Sequence, residues 1–225
     1  MNKRLTERLP GFVYPLLLGV ALLLPTVPVM AQKPAKPSYA YGAGGDTKVR
    51  LGWADPTREG IIWQYAQKSE GGTYGDWIEM KDVWNRGPDL QSEVTDLTNG
   101  TRYVFKIRGV NDSGNGKASK SFLVTPLPAP GVPTVTVAST SAKAVNLSWT
   151  VPDDALGAPD GYDVNRCVEE EGNDPCTPVY HDWVARGKTY RDNKVTANTT
   201  YRYTVIAYRG VAGSDASIPV TAAAQ

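Results

Sequence analysis

The sequence predicts an all-β protein that consists of two seven-stranded antiparallel β-sandwiches in tandem. The first observation is a period-two alternation in which Tyr103, Phe105 and Ile107 fall on one face, while Arg102, Lys106 and Arg108 fall on the other. Such alternation is typical of a strand with one buried face. The second observation is that segment 97–111 recurs as segment 195–209. The third is the composition, with 22 Gly, 17 Pro, 12 Tyr and 6 Trp, which favours short strands and turns over helices.

The first repeat contains about seven short apolar or alternating segments, and turn residues separate them. The predicted strands lie in segments 38–45, 48–56, 61–67, 77–81, 93–97, 103–111 and 119–125. Glycine-rich residues 69–75 and the polar run 111–116 form turns between them. Seven short strands with turns between them predict an antiparallel sandwich over residues 38–127.

The second repeat follows a proline-rich connector, residues 128–133, which is expected to be short and semi-rigid. Its segments 135–137, 145–152, 161–167, 189–195, 201–209 and 217–222 match those of the first repeat in order. Trp149 is followed by proline three positions later, as is Trp53. A unit of about 95 residues is long enough to fold alone, so residues 134–225 are predicted to form a second domain.

Residues 1–31 have the features of a signal peptide. Lys3, Arg4 and Arg8 precede an uncharged, leucine-rich run over residues 12–29, and small residues stand at the Val29-Met30-Ala31 cleavage position. We therefore expect the mature chain to begin at Gln32, with a mobile lead over residues 32–37. The alternative is an uncleaved membrane anchor, which the prolines within the run and its short length disfavour.

Both repeats resemble fibronectin type III domains. The residues that carry the resemblance are Trp53, Pro56, Leu97, Tyr103 and Val110-Asn111 in the first repeat, and Trp149, Pro152, Val195, Tyr201 and Ala207 in the second. The resemblance implies that the two tryptophans centre the two cores. It also implies that each tyrosine forms a corner, with its ring packed inside and its hydroxyl bonded to nearby backbone. Antibody-type domains and cytokine receptors are disfavoured, because no cysteine pair brackets either tryptophan and no Trp-Ser-x-Trp-Ser box occurs.

The composition disfavours several classes of function. Lys and Arg total 24 against 23 Asp and Glu, so no basic surface for nucleic acid is indicated. One histidine, no phosphate-cradling glycine motif and no nucleophile motif give no support for an enzyme, a metal site or a cofactor. The run 111–116 reads as a turn rather than a calcium loop, because Phe122 stands where a bidentate glutamate is needed.

Cys167 and Cys176 are the two cysteines of the chain, and they close a ten-residue loop that includes both of them. In an exported protein an even pair of this kind predicts a disulfide bond, with a stabilisation of roughly 2–3 kcal/mol. The acidic residues of this loop are interpreted as a solvated tip.

Three tryptophans outside the pattern that the two repeats share are candidates for ligand contact: Trp77, Trp84 and Trp183. Exposed indole rings stack on sugars or anchor protein partners, and the alternative is partial burial on a sheet face. The predicted function is an exported, non-catalytic adhesion, spacer or interaction module of bacterial origin. Its partner would be a protein or glycan outside the cytoplasm, and the protein itself would be secreted, periplasmic or on the cell surface, free of the membrane once the signal is removed. The alternatives are a carbohydrate-binding accessory protein and a membrane-anchored ectodomain.

Overall fold

The computed structural model describes residues 32–55, 60–169 and 180–225. Residues Gln32–Gln225 form one compact unit. All regular elements in the described part of the chain are β-strands, and every strand pair is antiparallel. The predicted fold class is therefore confirmed.

The first domain has two sheets that pack face to face. Its strands are β1 (Ala40–Gly45), β2 (Lys48–Trp53), β3 (Ile62–Ser69), β4 (Ile78–Glu79), β5 (Trp84–Arg86), β6 (Asp89–Val94), β7 (Tyr103–Asn111), β8 (Gly114–Asn115) and β9 (Phe122–Val124). One sheet has the order β1-β2-β6-β5, and we call it sheet A. The other, sheet B, has the order β4-β3-β7-β8, with β9 also paired to β7.

The second domain repeats this arrangement with fewer edge strands. Its strands are β10 (Thr134–Ser141), β11 (Ala144–Thr150), β12 (Gly161–Val168), β13 (Tyr180–Ala185), β14 (Thr189–Asp192), β15 (Thr200–Arg209), β16 (Ala212–Gly213) and β17 (Val220–Ala223). Sheet C has the order β10-β11-β14. Sheet D has the order β13-β12-β15-β16, and β17 also pairs with β15.

Each domain has its own hydrophobic core, built from the inward positions of both sheets. Trp53 is fully buried in the first core and contacts Trp63, with a ring-centroid separation of 5.3 Å. Trp149 is buried in the second core and meets Tyr162 edge-on at 5.2 Å. Aromatic pairs at this separation add to the stabilisation that comes from burial alone.

A tyrosine corner is present in both domains. The backbone N–H of Thr98 donates to the Tyr103 hydroxyl at 3.1 Å, and the N–H of Thr196 donates to the Tyr201 hydroxyl at 2.8 Å. Leu97 is buried in the first core, and the corresponding Val195 packs against the second. The repeated spacing therefore places an apolar side chain and a bonded hydroxyl at equivalent corners.

Two details of the first domain differ from the sequence-based expectation. The predicted strand over residues 77–81 is only β4, two residues long, and an unpredicted hairpin of β5 and β6 turns through Gly87-Pro88. The lead over residues 32–37, expected to be mobile, lies against the domain. Pro34 and Pro37 are buried, and Asn111 Nδ2 donates to the carbonyl of Gln32 at 2.7 Å.

The two domains contact each other directly as well as through the connector. The backbone N–H of Val211 in the second domain donates to the carbonyl of Gly44 in the first, at 2.9 Å. Gly210 has φ +59°, and a Cβ at this position would lie 2.3 Å from the Gly44 oxygen, so only glycine fits. We call the contact between residues 44–45 and residues 209–211 the domain junction.

Arg209 fastens the connector to the second domain. Its guanidinium donates to the carbonyl of Pro128 at 3.0 Å, to both Asp154 oxygens at 2.8 and 3.0 Å, and to the Gly157 carbonyl at 2.9 Å. These bonds hold the pKa of the Asp154 carboxyl below its usual value. Arg209 is only 6% exposed, so its charge-assisted hydrogen bonds hold the connector to the second domain from a buried position.

Candidate functional site

The three candidate tryptophans lie on the outer sheet faces. Among the described residues, no group of three or more His, Cys, Asp and Glu side chains is placed to hold a metal ion. The same residues contain no helix with the length and apolar character needed to cross a membrane.

Trp77 lies on the outer face of sheet B, within a ladder of alternating rings and cations. The guanidinium carbon of Arg108 lies 4.1 Å from the Trp77 ring centroid, and Lys106 Nζ lies 5.0 Å from it. Lys106 Nζ is also 4.0 Å from the Tyr74 ring, which Lys68 approaches at 5.2 Å. Cations over ring faces are attracted by the ring quadrupole.

The ladder has a positive charge, because no carboxylate among the described residues lies within 4.0 Å of Lys68, Lys106 or Arg108. Arg108 is held by two hydrogen bonds to Gln64 Oε1, at 2.9 and 3.0 Å. Both the Trp77 ring and the cations are half-buried. Trp77 therefore has a structural role in ordering these cations, and its ring is not an open stacking platform.

Trp84 lies on the other side of the first domain, at the edge of sheet A. It pairs with Gln91, which pairs with Gly52, which pairs with Tyr41. Directly opposed residues of antiparallel strands project to the same face, so Tyr41, Gln91 and Trp84 form one row across four strands. The Tyr41 ring lies flat on Gly52, where an added Cβ would be 2.3 Å from the ring.

The edge beside Trp84 is open. A groove of about 570 Å³ is lined by Trp84, Ile78 and Tyr65, and the carboxylates of Glu93 and Asp96 are on its wall. A second groove of about 630 Å³ lies beyond Met80 and includes Ile62 and Val83. Met80 is buried between the two grooves and closes the core at this edge.

The row that contains Tyr41 continues into a pocket at the domain junction. This junction pocket has a volume of about 270 Å³ and is lined by Tyr41, Ala43, Arg50, Arg86, Asp89, Gln91 and Val211. Val211 belongs to the second domain, and the other residues belong to sheet A. Val211 therefore closes the pocket from the second domain.

The polar groups of the junction pocket are arranged around Asp89. The Tyr41 hydroxyl donates to Asp89 Oδ2 at 2.8 Å, and the Tyr39 hydroxyl donates to Oδ1. Burial and the hydrogen bond to Asp89 raise the pKa of Tyr41, so its hydroxyl keeps the proton that it donates. Arg50, which also lines the pocket, donates to Glu93 at 2.9 Å, and Glu93 accepts from Lys48 at 3.0 Å.

Trp183 is the most exposed of the three candidates, at 53%. It lies on the outer face of sheet D and packs on Tyr208, with a centroid separation of 5.7 Å. Its ring covers Gly161, where an added Cβ would lie 2.3 Å from the indole. Asp163 pairs directly opposite Trp183, and burial raises the pKa of its carboxyl, with His181 Nδ1 3.7 Å away. We call Trp183, Tyr208 and Asp163 the sheet D patch.

The structure thus distributes the three candidate tryptophans over three separate surfaces. Trp77 and Trp84 lie on opposite outer faces of the first domain, and Trp183 lies in the second. Sequence reasoning missed Tyr41, Arg86 and Gln91. A signal for Tyr41 was present, because Tyr39 and Tyr41 share one parity in segment 38–45 and therefore one face of the strand.

The predicted disulfide involves a residue outside the described part of the chain. Cys167 is buried near the end of β12, and Cys176 lies outside the described residues. The Cys167–Cys176 bond therefore stays a prediction. Of the acidic residues between the cysteines, Glu169 is described and accepts from Arg202 at 2.8 Å, so it is an ion-pair partner rather than part of a free tip. The other acidic residues of this loop and Pro56 of the first repeat lie outside the described residues.

Comparison with known proteins supports a shared domain architecture. No family model matches the chain. Exoglucanase B of Cellulomonas fimi is 34% identical over 137 residues, which cover 57% of this chain and 11% of that protein. Receptor-type tyrosine-protein phosphatase F of Mus musculus is 30% identical over 205 residues, which cover 85% of this chain and 11% of that protein. The chain thus spans about a tenth of the length of these curated relatives.

A solved structure extends the comparison to the fold. The FN1–FN3 domains of chicken CNTN1 superpose with a TM-score of 0.63 and 18% sequence identity. The match covers 87% of this chain and 69% of that one, so it includes both sandwiches. At this level of identity the similarity establishes the fold of the two domains together.

Proposed function

The chain is a tandem of two domains with the fibronectin type III fold, and we propose that it acts as an exported, non-catalytic spacer and adhesion module with a fixed angle between its domains. A tandem of this kind is an interaction or spacer module. The proposal has three parts: rigidity, location and adhesion. The main observation behind it is the domain junction, which carries the rigidity.

The junction favours a rigid spacer because hydrogen bonds join the two domains directly and also join the second domain to the connector. The Val211 N–H bonds to Gly44, and Arg209 bonds to the connector carbonyl of Pro128 while it holds Asp154. The N–H of Leu127 also donates to the Gly45 carbonyl at 3.2 Å, which fixes the start of the connector to the first domain. The start of the Pro-rich connector is therefore bonded to both domains, at Leu127 to the first and at Pro128 to the second, which leaves little freedom for the domains to swing.

Backbone ¹⁵N relaxation of the purified protein tests this proposal. We expect both domains to tumble with one overall correlation time. In an Arg209→Ala variant we expect the two domains to acquire separate, shorter correlation times, because the hydrogen bond to Pro128 is lost. Two independent correlation times in the unaltered protein would contradict the rigid-spacer proposal.

Export is supported by the signal-peptide pattern and, more loosely, by the relatives, which include a receptor-type protein and an exoglucanase. We expect the protein recovered outside the cytoplasm to begin at Gln32, as N-terminal sequencing would show. Retention of residues 1–31 would instead favour the membrane-anchored ectodomain. The non-catalytic assignment is supported by the small share of each named enzyme that the chain covers.

The sheet D patch favours adhesion to a protein partner as a second activity of the module. Trp183 combines 53% exposure with a rigid position on Tyr208 and Gly161. Large aromatic side chains that are already ordered lose little entropy on binding and are common binding hot spots. Binding of an immobilised cell-surface protein fraction should fall in Trp183→Ala and persist in Trp84→Ala, the matched exposed tryptophan of the first domain. Equal binding by the unaltered protein, Trp183→Ala and Trp84→Ala would contradict a role of the sheet D patch in adhesion.

A further inference from the structure

We propose that the junction pocket is a saccharide-binding site that holds one sugar ring of a glycan between Tyr41, Gln91 and Arg86. This inference goes beyond the spacer function, which needs only the rigid junction. It rests on three features of the pocket: a buried acceptor without a partner, an arginine without a partner among the described residues, and an exposed aromatic wall.

The first feature is an unpaired acceptor. Gln91 is only 5% exposed and lines the pocket, and its Oε1 atom has no hydrogen-bond partner among the described residues. Its orientation is set by its other amide atom, because Nε2 donates to the Tyr41 hydroxyl at 3.3 Å while that hydroxyl donates to Asp89. A buried carbonyl oxygen without a partner is costly, so this site selects a ligand with a hydroxyl or N–H donor.

The second feature is an unpaired cation. Arg86 lines the same pocket, and no hydrogen bond or ion pair joins its side chain to another described residue. Arg50, the other guanidinium of the wall, is already held by Glu93. Arg86 therefore offers N–H donors to a ligand oxygen in the same pocket as Gln91, whose Oε1 atom needs a donor in return.

The third feature is an aromatic wall. The Tyr41 ring rests with one face on Gly52 and stacks beside Tyr39 at a centroid separation of 6.4 Å, yet the side chain remains 39% exposed. Its position is fixed by the bond to Asp89, so no ordering is required when a ligand packs against it. Trp84 extends the same row by two strand spacings beyond Gly52, which places a second ring about 14 Å from Tyr41 across the sheet.

A sugar ring satisfies all three features at once. Its hydroxyls donate to Gln91 Oε1 and accept from Arg86, while its C–H face packs on Tyr41. A small anion would pair with Arg86 and leave Gln91 unpaired, and an aliphatic side chain would leave both polar groups unpaired. The volume of about 270 Å³ suits one ring of a chain, and Trp84 lies where a neighbouring ring of the same glycan would extend.

The pocket also predicts a coupling between binding and domain orientation. Val211, which closes the pocket from the second domain, is the residue whose N–H bonds to Gly44. A bound sugar therefore contacts both domains and stabilises the junction. A ligand at any site within one domain would not have this effect.

The test is an NMR titration of the full protein with six soluble oligosaccharides, followed by calorimetry with the best binder. The probes are cellohexaose, xylohexaose, mannohexaose, chitohexaose, maltohexaose and trigalacturonic acid, with sodium sulfate as the anion control. We expect at least one oligosaccharide to shift the amide resonances of Gln91, Arg86 and Val211. Gln91→Met, which keeps the side-chain shape and removes the acceptor, should weaken that binding by about tenfold or more.

Two further variants make the test decisive. Arg86→Gln changes an exposed residue that does not support the core, so its expected loss of binding does not depend on folding. Ile218→Ala, at an 85% exposed position of the second domain, should bind like the unaltered protein. The proposal is overturned if no probe shifts these resonances at millimolar concentration. It is also overturned if Trp183→Ala loses binding while Gln91→Met and Arg86→Gln keep it, or if sulfate competes with the oligosaccharide and binds Gln91→Met unchanged. Failure here leaves the single correlation time of the rigid spacer unaffected, so the two proposals are distinguishable.

Discussion

The buried ion pair in the second domain makes a strong prediction about stability. Asp192 is 1% exposed inside the core and accepts three hydrogen bonds: from Arg166 Nη1 at 2.7 Å, from the Tyr203 hydroxyl at 2.9 Å and from the Lys194 N–H at 2.9 Å. The Arg166 side chain is only 12% exposed. Removing the carboxylate in Asp192→Ala leaves a buried cation, a buried hydroxyl and a backbone N–H without their acceptor.

We expect Asp192→Ala to lower the free energy of unfolding of the second domain by about 3–5 kcal/mol, the usual cost of breaking one half of a buried pair. A domain of this size has a total of about 5–15 kcal/mol, so the change removes a large share of it. With a sensitivity of about 4–8 °C per kcal/mol, the melting temperature of this domain should fall by roughly 12–40 °C. Hydrogen-exchange mass spectrometry measures the two domains separately and shows whether the first is spared.

A paired replacement separates the ion pair from simple loss of packing. In Arg166→Met/Asp192→Leu the uncompensated charge is absent, and most of the lost stability should return, because apolar residues of similar size replace buried pairs at little cost. Glu93→Ala is the matched control, since Glu93 is a half-exposed partner of Arg50 and its loss should cost less than about 1 kcal/mol. This reasoning would be refuted if Asp192→Ala lowered the free energy of unfolding by less than about 1 kcal/mol, or if the double variant were less stable than Asp192→Ala.

Three other predictions concern the two cores, the cysteines and pH. Trp53→Ala and Trp149→Ala should each destabilise their own domain by roughly 3–5 kcal/mol, and calorimetry should show one lowered transition beside one nearly unchanged; equal shifts of a single transition would indicate a shared core. Cys167 and Cys176 should resist thiol labelling without reductant and give a monomer, whereas labelling of both would rule out the bond. Burial alone would raise the pKa of the Glu93 carboxyl, but hydrogen bonds from Lys48 and Arg50 lower it overall. The stability that Glu93 contributes is therefore present above its ordinary pKa of 4.5 and is lost as the pH falls through the lower pKa of the folded state. Urea unfolding between pH 6 and pH 3 should therefore show a smaller acid loss in Glu93→Gln than in the unaltered protein.

Much of the fold follows from local sequence pattern, because each core strand alternates on its own. Leu51, Trp53, Phe105 and Ile107 are recognisable as inward residues without knowledge of their neighbours. The hairpin of β5 and β6 was not predicted because β5 is an edge strand of three exposed residues, Trp84–Arg86, with no buried face to impose alternation.

The binding surfaces were less accessible to sequence reasoning, since they depend on which strands become neighbours. Tyr41, Gln91 and Trp84 come from three strands that are distant in sequence, and only sheet register places them in one row. Trp84 and Trp183 are exposed, but Trp77 has its ring face covered by Arg108, a contact across sheet B that no spacing reveals. The junction pocket further requires Val211 from the second domain, whose position depends on how the domains meet.

The close approach at Gly210 has a consequence for how this protein would change over time. Because a Cβ at this position would lie 2.3 Å from the Gly44 oxygen, any other residue there acts as a wedge and opens the angle between the domains. Over the length of a sandwich, a small opening at the pivot becomes a displacement of many ångströms at the far end. A single-nucleotide change at this codon would therefore change the relative orientation of the two domains while leaving both cores intact. The angle between the domains can thus change in evolution without a change in the stability of either core.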